Sequence, residues 1–68
     1  MTTQNNIGAT IKKKRVKLGL SQEGLAQKSG VKYTTLSKIE SGVIKTPSVL
    51  TMAQIARALS VTIEDLLK

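Results

Sequence analysis

Residues 18–42, LGLSQEGLAQKSGVKYTTLSKIESG, decide how this chain folds. Ser21 is a good N-cap for a helix whose apolar positions are Leu25 and Ala26. Gly30 ends that helix in the left-handed conformation, which glycine reaches without a Cβ penalty. A second helix is expected from about Lys32 to Ser41, with Leu36 and Ile39 pointing inward and Gly42 as its stop. Only SGVK joins the two, and so short a link forces a steep crossing with closely approaching backbones. Ala26 gives the later helix room to approach, and Gly30 allows the sharp turn. Val31 then tucks under the junction, while Leu25, Leu36 and Ile39 fill the shared core.

The same reading extends outward. From Ile7 the pattern is helical: Ile7, Ile11 and Leu18, with Lys14 and Arg15 between them, follow the 3.6-residue period, and Gly19 marks the end. After the quoted stretch, Pro47 and Ser48 open a fourth helix capped by Ser48. Its apolar residues Val49, Leu50, Met52, Ala53, Ile55, Ala56 and Leu59 form a broad stripe suited to a central core helix. Thr62 caps a fifth helix, TIEDLLK, whose acidic first turn complements the helix dipole. No Val/Ile alternation marks a strand. The expected architecture is all-α: a compact five-helix domain over residues 7–68, preceded by a flexible lead-in at 1–6.

Composition narrows the function classes. A chain of 68 residues makes one small domain, which buries only about 60% of its unfolded surface. With neither Cys nor His, disulfides and the usual zinc sets are excluded, and no metal or other cofactor is expected. A general base or nucleophile would have to come from Ser, Thr, Lys, Tyr or four carboxylates, and no GxSxG or phosphate loop is present, so catalysis is not expected. No apolar run approaches the roughly 20 residues of a membrane span, and MTTQNN lacks the layout of a secretory signal, so a cytoplasmic protein is expected. Eleven Lys and Arg against four Asp and Glu give a net charge of +7. Nine of these cations precede position 46: Lys12, Lys13, Lys14, Arg15, Lys17, Lys28, Lys32, Lys38 and Lys45. Such a field favours a polyanion, most simply nucleic acid; the alternative is a lysine-rich solubilising surface.

Spacing sharpens the choice. Counting Gln22 as one, the small residue is fifth, the glycine ninth, and apolar residues fall fourth, tenth, fifteenth and eighteenth. This is the spacing of a DNA-binding helix-turn-helix. LGLSQEGLAQKSGVKYTTLSKIESG followed by TPSVLTMAQIARALSVTIEDLL resembles the lambda-repressor-like (Cro/repressor, Xre-type) family over roughly residues 7–67. The resemblance implies a five-helix domain without catalytic activity that binds operator DNA, usually as a symmetric dimer. It implies a transcriptional regulator of bacterial or phage origin, or else an antitoxin or coactivator-type module whose main partner is another protein. Two positions depart from the family pattern. Gly24 stands where an acidic residue is common, which removes a capping-box partner and costs about 1 kcal/mol in helix propensity. Ser29 stands where an apolar side chain is usual. Both suggest a weakened second helix.

In a helix-turn-helix the third helix lies in the major groove. With Leu36 and Ile39 inward, Lys32, Tyr33, Thr34, Ser37, Lys38 and Ser41 are left outside. By resemblance, Lys32, Tyr33, Thr34, Ser37 and Lys38 match positions that read bases, and their chemistry suits guanine O6/N7 and the thymine methyl. The alternative is an amphipathic helix with an ordinary solvated face. Gln22, at the positive end of the second helix dipole, is placed to hold a phosphate. The family also uses the end of the third helix and the loop after it, here Ser41, Lys45 and Thr46, on phosphates. Family positions matching Arg15 and Glu40 form an ion pair beside the DNA backbone. Lys12, Lys13, Lys14 and Lys17 spread around most of a helix turn and cannot all face DNA; the stem of Lys14 is expected to cover core residues. A membrane-surface role is not expected, because the first helix lacks a bulky apolar face. For a homodimer the candidate surface is Thr62 to Leu67, on the expectation that Leu66 or Leu67 stays exposed; alternatively both leucines close the monomer core.

Overall fold

The computed structural model describes residues 7–67, so the expected lead-in at 1–6 lies outside the described residues. Five helices follow in order: α1 (Ile7–Lys17), α2 (Gln22–Ser29), α3 (Tyr33–Ser41), α4 (Val49–Ala58) and α5 (Ile63–Leu67). No strand occurs among the described residues. α1 packs on α3 and α5, α2 on α3 and α4, and α4 on α5, enclosing one core. Ile11, Leu25, Leu36, Ile39, Ile55 and Leu66 are its fully buried large side chains.

The punctuation follows local chemistry. The Ser21 Oγ accepts from the Gly24 N–H at 2.9 Å, and the Ser48 Oγ accepts from the Thr51 N–H at 3.2 Å. Gly30 and Gly42 sit at φ 79° and 89°, the left-handed region that favours glycine. Thr62 and Asp65 form a reciprocal capping box: the Asp65 N–H donates to Thr62 Oγ1 and the Thr62 N–H to Asp65 Oδ2, each at 3.1 Å. Lys32 caps α3 through its extended backbone, so the helix itself begins at Tyr33. Ser29 ties α2 to the turn: its Oγ donates to the Ala26 carbonyl at 3.3 Å and accepts from the Val31 N–H at 3.2 Å. These bonds offset the apolar contact that serine gives up.

Three apolar expectations are corrected. Leu18 is 52% exposed, because the α1 stripe runs Ile7, Ile11, Arg15 at four-residue spacing and the helix ends at Lys17. Val49 and Leu50 are 75% and 71% exposed. The inward face of α4 is Met52, Ile55, Ala56 and Leu59; Leu50 lies opposite it at about 100° per residue, and no element packs over Val49 in the first turn. The two leucines of α5 part company, Leu66 being buried and Leu67 40% exposed.

Two features lock α1 to α3. Gly8 is buried in α1 where a Cβ would run into the Ile39 carbonyl oxygen and lie 3.1 Å from Glu40 Cα. Next to this contact, Arg15 and Glu40 form a bidentate pair, Nε to Oε2 at 2.8 Å and Nη2 to Oε1 at 3.1 Å, with side chains only 11% and 3% exposed. Arg15 Nη1 also donates to the Leu20 carbonyl at 2.7 Å, and Gln22 Nε2 donates to Glu40 Oε1 at 3.0 Å. The network thus joins α1, the α1–α2 turn, α2 and α3.

Two stability measurements follow. Removing one member of a buried pair strands the other charge, so Arg15→Ala and Glu40→Ala are each expected to cost about 3–5 kcal/mol in urea unfolding. The double variant should lose well under the sum, and additive losses would refute a coupled pair. Gly8→Ala is expected to lower stability by about 1–3 kcal/mol, because the obstacle is backbone rather than a movable side chain.

Candidate nucleic-acid interface

The outer face of α3 follows from its inner one. Leu36 and Ile39 are fully buried, which rotates Thr34, Lys38 and Ser41 to the far side, exposed, with the partly buried Ser37 at its edge. From residue 34 to residue 41 this strip runs about 10 Å along the helix, comparable to the roughly 12 Å width of a B-DNA major groove. Tyr33, 48% exposed, and exposed Lys32 stand at its N-terminal end, on the rim of a cleft shared with Gly24 and Gln27 of α2. The five residues expected to read bases are therefore contiguous, though Tyr33 is offset toward α2.

The expected phosphate positions divide. Lys45 and Thr46 are exposed in the loop leaving α3, which is anchored by the Ile44 N–H donating to the Lys38 carbonyl at 3.0 Å and by half-buried Ile44 against the core. Ser41 is exposed, but its hydroxyl donates to the Lys38 carbonyl at 3.1 Å, which engages its hydrogen within α3. Gln22 begins α2 with its side-chain amide donating to Glu40, and its backbone N–H is one of the helix-start donors that have no partner within the helix. Arg15 and Glu40 are drawn together as expected, and their burial makes them a support beneath this surface.

Two residues acquire positions that spacing had not given them. Lys12 lies about 60° around α1 from Arg15, on the flank that meets α3, and so adds positive charge beside the strip. Gly8 sets how closely α1 approaches α3. Its signal was available: a glycine inside a helical run is unfavourable by about 1 kcal/mol relative to alanine and implies a packing reason.

Among the described residues no helix is long and apolar enough to cross a membrane, and no cluster of acidic side chains is fit to hold a metal ion. The sequence model of the helix-turn-helix family matches residues 11–66. The fold is similar to the crystal structure of SinR, a master regulator for biofilm formation, solved in complex with DNA. The two superpose with a TM-score of 0.88 at 35% sequence identity, over 91% of this chain and 98% of that one. The matched residues contain the whole α2–α3 unit, with its turn glycine, its buried crossing and its outward strip. The chain belongs to the lambda-repressor-like, Xre-type helix-turn-helix family.

Proposed function

We propose that the protein is a sequence-specific, double-stranded DNA-binding transcriptional regulator, repressor-like and without catalytic activity, that seats α3 in the major groove. The observation that carries this reading is the polar strip of Thr34, Ser37, Lys38 and Ser41, held outward by buried Leu36 and Ile39 and fixed to α1 through Glu40. The similarity to SinR, whose structure was solved on DNA, supports it.

In this reading Lys38 or Lys32 donates to guanine O6 and N7. The Thr34 methyl meets thymine, Ser37 donates or accepts at a base edge, and Tyr33 offers a ring edge and a hydroxyl. The Gln22 backbone N–H, Lys45, Thr46 and Lys12 take phosphates, which set register without reading sequence. Ser41 joins them by turning its hydroxyl away from the Lys38 carbonyl. Two copies bind an inverted repeat with half-sites about 34 Å apart. The contact between copies uses the Thr62–Leu67 segment, where Leu67 supplies the exposed apolar group.

Selection of bound duplexes from a random pool tests the reading directly. An inverted-repeat motif is expected; no motif at moderate salt would overturn sequence-specific regulation, and a single half-site would overturn the dimer. Lys38→Ala is expected to cost about 1–3 kcal/mol on the selected site and to relax preference at one base pair. Lys45→Ala should instead weaken all duplexes alike and reduce the log–log salt slope by about 0.9. Leu67→Lys is expected to leave the fold intact but abolish pairing on the repeat, read as loss of the two-copy complex in sedimentation.

A further inference from the structure

The lysines of α1 do not share one face. Gly8 and Arg15 mark the side of α1 that meets α3, and at about 100° per residue Lys13 and Lys17 lie opposite Arg15. With Thr10 and Lys14 they line a groove bounded by Asp65 of α5, to which α3 contributes nothing. Three ammonium groups meet one carboxylate there, and that carboxylate already caps α5 by accepting from the Thr62 N–H at 3.1 Å. The groove therefore carries a surplus of positive charge. No aliphatic or aromatic residue lines it, so nothing in it calls for an apolar occupant.

Charge and placement select the occupant. A second copy carries the same net charge of +7 and two exposed carboxylates, Glu23 on α2 and Glu64 on α5, so it brings single carboxylates against a general repulsion. The contact between copies proposed above also lies elsewhere, because at about 100° per residue Leu67 stands across α5 from Asp65. A phosphodiester strand matches the groove. It presents one charge per about 3.4 Å of duplex axis, and Lys13 and Lys17, one turn apart, are separated by about 6 Å along α1. A duplex seated on the α3 strip is not that strand: it faces the other side of α1, and DNA is stiff over about 150 base pairs, so it does not fold back to the groove. We propose that the groove of Thr10, Lys13, Lys14 and Lys17 is a second nucleic-acid site. It takes the phosphate backbone of another duplex without reading its sequence, so that one copy of the domain joins two DNA segments. The joining rests on the DNA reading of α3; occupation of the groove does not.

The test titrates the isotope-labelled full chain with a duplex carrying the selected site and then with a second duplex lacking it, read by amide chemical shifts. The first duplex is expected to move Thr34, Ser37 and Lys38, and the second Thr10, Lys13, Lys14 and Lys17. In the Lys13→Gln, Lys17→Gln double variant the first response should keep its affinity. Binding of the second duplex should weaken, and its log–log salt slope should fall by about 1.8, at 0.9 per lost phosphate contact. Groove shifts that arise with the first duplex at the same affinity would overturn the proposal, because flank and strip would then serve one duplex. Shifts at Lys13 and Lys17 that grow with protein concentration without DNA, and vanish in Glu64→Gln, would overturn it in favour of a contact between copies. A second duplex that moves no groove residue would leave the lysines as solvated charge and overturn it too. A random-sequence duplex added to the Lys32→Ala, Lys38→Ala variant should still move the groove residues. That response needs no contact at the strip, so its loss is distinguishable from failure of the DNA reading of α3.

Discussion

The buried bidentate pair between Arg15 and Glu40 is the constraint on which the arrangement of the other helices depends. A small domain with one aromatic residue has few large side chains with which to fix helix orientation, and aliphatic contacts are not directional. A guanidinium–carboxylate fork is directional, since both groups are planar and must meet in register. Here the fork also uses its remaining groups, on the Leu20 carbonyl and the Gln22 amide, so the beginning of α2 is positioned by the same atoms that hold the end of α3. The desolvation of two charges is tolerable because their hydrogen-bonding capacity is used within the protein; no buried side-chain nitrogen or oxygen lacks a partner among the described residues.

Much of the fold was legible because its punctuation is local. Ser21, Gly30, Gly42, Ser48 and Thr62 act on backbone groups within a few residues of themselves, and each does in the structure what its chemistry requires. What periodicity could not supply was the identity of the neighbour. Val49 and Leu50 are apolar and helical, yet nothing packs over them, and Leu18 follows the period past the point where the helix stops. Gly8 fails in the other direction: its importance lies in a carbonyl of α3 that is distant in sequence.

Of the candidate site, the facing of α3 was legible. Because Leu36 and Ile39 settle which way α3 faces, the outward residues follow almost by subtraction. Charge was harder to place. A count of cations before position 46 suggests one basic field, whereas the helical angles of α1 divide it, with Lys12 beside α3 and Lys13 and Lys17 on the other flank. The positions of Ser41 and Gln22 in the sequence likewise said nothing of the bonds they make within the protein.

The separation of roles along α3 has a consequence for how such a protein can change. The groups that hold this helix, Leu36, Ile39 and Glu40, share no position with Thr34, Ser37 and Lys38. Each of the latter can therefore be exchanged for another polar residue without opening a cavity or stranding a charge. Descendants of one scaffold are free to diverge on this outer face while keeping the same skeleton. The alphabet of the outer face is open to drift, and selection against unfolding scarcely restrains it.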